Sequence, residues 1–446
     1  MKKFLFPILC FVTAAINCFS QTFFSLGTGV NSGPGLPFLF ADTSTNILYT
    51  AGWITSIGNV SVQGTARWNG LAWDSMGYGT LGSGPRAMVK YNGEIILGGS
   101  YGSRTSSANG RGLSKWNGTA WVPFADAIDS SGSGEVYGLL VHNNDLFVFG
   151  AFDSIAGMRS NMIARWDGVS WYTYPDITEW GGGWQIYDAA FYNNELYVGG
   201  NFEFPYPGIR GDIAKWNGTA WQQVDTGLSG SLSSVGALEV YNNELWVGGG
   251  FETNWGDPGN YLMKWNGTNW TQLSCEPNGF VYDLKVYGGK MYAGGTFNVP
   301  SITNGWWSAR WFGTQCESYG IFDNGPVNSF AELNGELYIG GGFETVNGDT
   351  MNRITRYDGV VGINADEKKG QVNIIPNPSS GTFTVNLPTI NNRSYDIEIY
   401  NGLGEKIRSQ NTFGKTQIDL SDKPKGIYFV RIINQEEIST RKIIIQ

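Results

Sequence analysis

Five segments of this 446-residue chain repeat one phrase: Trp, then Asn-Gly or Asp-Gly, two further residues, and a second Trp. They begin at Trp68, Trp116, Trp166, Trp216 and Trp265. A sixth, Trp311 to Cys316, is degraded, and Tyr357-Asp358-Gly359 keeps only the front half. The leading aromatics lie 46 to 50 residues apart. A period of that size specifies an array of supersecondary units, each unable to bury its apolar face alone.

Asn-Gly between apolar residues favours a type I′ hairpin, because both central residues tolerate positive φ. With Asn217-Gly218 as the turn, Trp216 sits opposite Thr219 and Ala214 opposite Trp221. The two tryptophans then share a face as diagonal neighbours. A second hairpin lies upstream in each unit, turning at Asn92-Gly93, Asn143-Asn144, Asn193-Asn194, Asn242-Asn243, Gly288-Gly289 and Asn334-Gly335. The strand after it ends in small residues, as in Leu196-Tyr197-Val198-Gly199-Gly200. Four antiparallel strands in a unit of this length read as a propeller blade. Counting the Gly-Gly-type strands predicts an all-β, seven-bladed β-propeller. The last unit lacks a fourth strand, and Phe23 to Gly29 matches the spacing of Trp73 to Gly79. Residues 22–29 are therefore expected to close the ring as the seventh blade's outer strand, leaving few exposed edges. In this reading the tryptophan phrase is structural and packs between blades.

Lys2 and Lys3 precede an apolar run from Phe4 to Ala15, with small residues before Gln21. This pattern predicts a signal peptide over residues 1–20. Asn17 before Cys18 argues against a lipid-anchored precursor. Cleavage leaves Cys275 and Cys316. Export permits a disulfide. The predicted topology, however, sets Cys275 at the far end of one outer strand and Cys316 at the start of the next, favouring two partly buried thiols. The net charge is −9, and residues 371–446 carry nine Lys/Arg against seven Asp/Glu, so the acidic excess lies in the repeat array. An acidic ring argues against nucleic acid and anionic lipid as partners.

Composition changes after Gly362. Residues 21–363 form the predicted propeller, 364–371 a polar linker, and 372–446 a set of alternating strands broken by Gly, Pro and Asn turns. That pattern predicts a small Ig-like β-sandwich. The tail contains Pro376-Asn377-Pro378-Ser379-Ser380-Gly381, Ile399-Tyr400-Asn401-Gly402-Leu403-Gly404, Gly426-Ile427-Tyr428-Phe429-Val430 and the terminal Lys442-Ile443-Ile444-Ile445. It closely resembles the type A C-terminal sorting domain of the type IX secretion system. The resemblance implies passage through the outer membrane of a Bacteroidetes-type bacterium by the type IX machinery, removal of the tail, and release or attachment at the cell surface. The array is more loosely similar to kelch repeats, whose aromatic-to-Trp gap is wider. Ala66-Arg67-Trp68-Asn69-Gly70 also resembles bacterial extracellular repeat proteins and fungal cortical polarity-marker propellers. Neither likeness transfers catalytic residues.

Chemistry is sparsely signalled. The single histidine, His142, stands where Tyr192 and Tyr241 stand in other units, which reads as structural. Copper sites built on histidine ligands and His-based triads lack their residues. Asp145, Glu195, Glu244 and Glu336 recur after the upstream turns and read as turn edge and solvent. No calcium-loop spacing appears around Asp257, Asn347 or Asp349. Asn117, Asn217 and Asn266 fit Asn-x-Thr but are the hairpin turns themselves.

Six tryptophans fall outside the repeated pattern: Trp53, Trp180, Trp184, Trp255, Trp306 and Trp307. They lie in connections after second or fourth strands, which share one face of a propeller. Tyr101, Phe204 and Tyr206 join them. Trp180, Trp184, Tyr206, Trp255, Trp306 and Trp307 are thus the candidate ligand-binding residues, since amphipathic rings on rigidly held loops suit a sugar or protein partner. The expected function is a monomeric, non-enzymatic binding or adhesion module for a glycan or protein, without cofactor or metal. The alternatives are a carbohydrate-active enzyme using carboxylates only, and a spacer with no small-molecule site.

Overall fold

The computed structural model describes residues 22–445, apart from short stretches of which the longest are 78–81, 102–110, 178–183, 203–210, 229–233, 254–258, 360–372, 388–393 and 434–437. The predicted signal peptide and the linker lie outside the described residues. The chain divides into two compact units, Met1–Val360 and Val361–Gln446.

The first unit is a β-propeller. Each repeat forms a four-stranded antiparallel meander; the fourth runs Gln185–Tyr192, Glu195–Asn201, Ile213–Trp216, Trp221–Gln223. Seven such meanders occur among the described residues. Their inner strands are Phe38–Asp42, Gly82–Tyr91, Glu135–His142, Gln185–Tyr192, Val235–Tyr241, Phe280–Tyr287 and Val327–Leu333. Each inner strand neighbours the next, and the last neighbours the first, so the array closes. Thr22–Ser25 completes the last meander by pairing with Ile354–Asp358, Phe23 opposite Tyr357. The anticipated closing strand is therefore present.

The Gly-Gly positions follow from the spacing between blades. A Cβ on Gly199 would come within 2.3 Å of Val235 in the next blade, and one on Gly200 within 2.0 Å of its own blade's Gln185 carbonyl. Between blades, the third residue after each second Trp packs on the next blade's tryptophan pair. Phe124 meets Trp166 and Trp171, Tyr174 meets Trp216 and Trp221, and Leu273 meets Trp311. Tyr319 plays this part against Phe23 and Tyr357 at the closure. At the far ends of the inner strands Tyr192 and Tyr287 donate hydroxyl hydrogen bonds of 2.8 Å to the Asn243 and Gly335 carbonyls of the next blade. His142 occupies that register and instead stacks on Phe191 at 3.6 Å.

Four expectations need correction. The tryptophan phrase is not a type I′ turn: Trp216 sits directly opposite Trp221, with ring centroids 5.3 Å apart. Asn217 Oδ1 accepts the Thr219 and Ala220 amides, both at 2.9 Å, and Gly218 takes φ 99°. A side chain that bonds its own backbone outcompetes the two-residue turn and makes a four-residue loop. The same contacts recur at Asn69, Asn117, Asp167 and Asn266. Positive φ at both turn residues occurs instead at the upstream hairpins, as at Asn193 and Asn194 with 51° and 63°.

Next, the carboxylates after those hairpins are not simply solvated. Asp145, Glu195, Glu244 and Glu336 pair with Arg165, Lys215, Lys264 and Arg356 one strand away, at 2.8 to 3.1 Å. A four-strand unit also misses small hairpins such as Ser154–Ile155 with Met158–Arg159, which pairs with the preceding blade's Trp121–Ile128.

Finally, Cys275 and Cys316 form a disulfide, with Cα atoms 6.1 Å apart. The segment after the short strand Trp270–Gln272 turns onto the next blade, where the Cys275 carbonyl accepts Trp311 Nε1 at 3.0 Å. Cys316, standing in the second-Trp position, meets it there. Replacing both cysteines by alanine is expected to cost about 2–4 kcal/mol. Thermal melts of the variant and of reduced wild-type protein should shift down together; an unchanged midpoint would overturn this.

The second unit is a sandwich of two sheets. Asn373–Ile375, Thr382–Asn386 and Thr416–Asp419 form one; Tyr395–Asn401, Lys406–Thr412, Gly426–Ile433 and Ile438–Ile445 form the other. Phe383, Val385 and Ile418 of the first share one core with Ile397, Ile399, Val430 and Ile443 of the second.

Candidate functional site

Inner strands carry β-bulges near their starts. Register shifts leave Arg86, Tyr137, Tyr187, Gly236, Tyr282 and Asn328 unpaired. A bulge re-aims a side chain away from the alternating faces of its strand. These six residues, with Phe38 of the first blade, line a cavity of about 600 Å³ on the ring axis. Its size suits a small ligand or one end of a larger one.

The wall is aromatic. Tyr137 and Tyr187 meet edge to face at 5.1 Å, and Phe280 lies 5.1 Å from Tyr282. The Arg86 guanidinium sits 5.2 Å over the Tyr137 ring and pairs with Glu135, so its charge is balanced. Burial raises the Tyr137 and Tyr187 hydroxyls above their ordinary pKa, keeping both neutral. Gly236 leaves room for Phe280, whose ring would lie 2.7 Å from an added Cβ. Trp53 stands at the rim, 53% exposed. Gly35 and Gly84 press against its backbone and hold it in place. Asn328 Oδ1 is buried without a hydrogen-bond partner among the described residues.

One layer deeper, about 210 Å³ is lined by Gly138, Asp188, Asp283, Ser329 and their neighbours. Asp188 Oδ2 accepts the Leu238 amide of the next blade at 2.7 Å, and Asp283 Oδ2 accepts Phe330 likewise at 2.7 Å. Ser329 Oγ accepts Leu39 at 3.0 Å. These side chains satisfy inward-facing amides that no strand can pair. Burial pushes Asp188 up to about 7 and Asp283 up to about 8. Backbone hydrogen bonds oppose that shift, and each group's nearby carboxylates add to it.

The candidate residues from sequence are distributed differently. Trp306 is 55% exposed, 6.3 Å from Trp307. Trp307 packs against the cluster of Tyr319 and Phe343, and Trp184 against that of Phe149 and Ile186. None of the three lines the axial cavity. Trp180, Tyr206 and Trp255 lie outside the described residues. The sequence places Trp53 among the loop tryptophans but outside the six candidate ligand-binding residues, and it does not mark the bulged residues. Their signal is Tyr137, Tyr187 and Tyr282 at one register of three inner strands.

The terminal unit closes with the paired strands Gly426–Ile433 and Ile438–Ile445, and its sequence matches one family model. Residues 373–446 match the secretion system C-terminal sorting domain. The sorting domain marks the chain for export by type IX secretion, to the cell surface or beyond it, and implies contact with that machinery. No curated protein matches the chain. Among solved structures, the β-propeller domain of the Trilobed protease from Pyrococcus furiosus, described as having an open velcro topology, resembles it. The TM-score is 0.41 at 11% identity, over 73% of this chain and 96% of that one.

Proposed function

We propose that the exported propeller is a non-enzymatic binding module that takes a glycan at the axial cavity. The aromatic wall with the exposed Trp53 carries this reading. Neutral aromatic faces stack on the C–H faces of sugar rings, while Asn328 and the tyrosine hydroxyls supply hydrogen bonds.

A carboxylate enzyme has one observation in its favour, the pair Asp188 and Asp283 at the cavity floor. Glycoside hydrolysis needs one proton donor and one ionised carboxylate, so their environments must push the two apart. Here both are raised by burial and both bond the next blade's backbone. That favours structure over hydrolysis.

The test is a glycan array with isothermal titration of the hits, on wild type, Trp53→Ala and Tyr282→Ala. Each substitution is expected to weaken binding about tenfold, roughly 1.4 kcal/mol, with the melting temperature unchanged. Binding to a protein but to no glycan would replace the ligand class. Release of reducing sugar that Asp188→Asn abolishes would establish the enzyme instead.

A further inference from the structure

We propose that the cavity reads the terminus of a glycan chain, not its interior, and that Asn328 sets which terminus is accepted. This rests on the glycan reading above. The first observation is enclosure. The wall draws a residue from every inner strand, so the cavity is surrounded around the ring axis. A second cavity of about 210 Å³, lined by the same bulged residues and by Asp188, Asp283 and Ser329, adjoins it. A polymer lying across the mouth touches only rim groups such as Trp53. A chain end can descend past the tyrosines to the second layer, whereas an internal residue carries chain on both sides.

The second observation is Asn328. It lines both the mouth and the deeper layer. Its Oδ1 is buried without a partner among the described residues. Leaving a buried acceptor unpaired is unfavourable, and a hydroxyl or N–H donated by a ligand relieves that cost. Such an acceptor discriminates strongly, because an analogue lacking the donor restores the unpaired state. Its neighbours Asp188, Asp283 and Ser329 each already accept a backbone amide. Arg86 already pairs with Glu135. Asn328 Oδ1 is therefore a buried acceptor of this wall held open for the ligand.

Titrate the mature chain, tail included, with cello-, xylo-, manno- and chito-oligosaccharides and their parent polysaccharides. For whichever series binds, one protein per chain is expected at every length, and chemical capping of one terminus should abolish binding. Protein bound in proportion to chain length would overturn end-on reading while leaving the glycan reading intact. No binding by any series or by the array would remove the glycan reading itself. Asn328→Leu should lose about tenfold or more in affinity and lose discrimination against terminal deoxy analogues. Retained discrimination in a folded Asn328→Leu protein would remove Asn328 from the role. If that variant does not fold, deoxy analogues on wild type decide: equal affinity for every deoxy terminus would do the same.

Discussion

Raising the pH from about 4 to 8 is expected to destabilise the propeller steeply. Asp188 and Asp283 titrate near 3.8 when unfolded and near 7 and 8 when folded. Between those limits the native state holds protons that the unfolded chain has released. Each group then withdraws about 1.4 kcal/mol of stability per pH unit. Their contribution is complete below the unfolded value and lost as pH climbs through the folded ones. Glu239, also raised chiefly by burial, acts with the same sign. Asp42 acts oppositely. Burial would raise it, but hydrogen bonds from Lys90, Thr45 and Ser44 hold it well below the ordinary carboxylate range. Its contribution disappears in acid, which places the optimum in mildly acidic solution. Denaturant melts across this range should show the decline, and Asp188→Asn/Asp283→Asn should flatten it. An amide keeps an acceptor for Leu238 and Phe330 without a titrating proton. A level wild-type profile, or an equal slope in the variant, would refute the assignment.

What was legible in the sequence follows from what repetition can encode. Strand order, the Gly-Gly strand and the closing segment all recur at fixed spacing, so Phe23 could be aligned with Trp73 before any geometry was known. The local turn at Asn217 was misread because one dipeptide serves two loops. Only the side-chain contacts to Thr219 and Ala220 distinguish them. The disulfide was misjudged because the path after Gln272 depends on tertiary packing. The cavity was missed for a related reason. A bulge displaces one residue and leaves no mark in the alternation pattern, and Arg86, Gly236 and Asn328 break the tyrosine consensus. Tryptophans drew attention to the loops, yet Trp307 and Trp184 serve largely to pack.

Deleting residues 21–29 should cost the propeller most of its stability. Phe23 sits 5.0 Å from Tyr357 and 5.8 Å from Phe322, and an added Cβ on Gly320 would lie 2.6 Å from its ring. Leu26 is buried in the first blade's cluster and its carbonyl accepts Trp73 Nε1 at 2.9 Å. Phe23→Ala alone is expected to cost about 2–4 kcal/mol. The full deletion should lower the melting temperature by about 10 °C or more. A synthetic peptide of residues 21–30 should restore much of it. A truncated protein that melts like wild type would show that the strand is dispensable.

The closing strand joins the beginning of the array to its end, and Phe38 of the first blade faces the same cavity as Asn328 of the last. The cavity is therefore a property of the finished ring and of no single blade. A chain without its last repeat has every wall residue's strand but the final one, and no closed ring of wall residues. Closure of the ring is thereby the step that assembles the cavity.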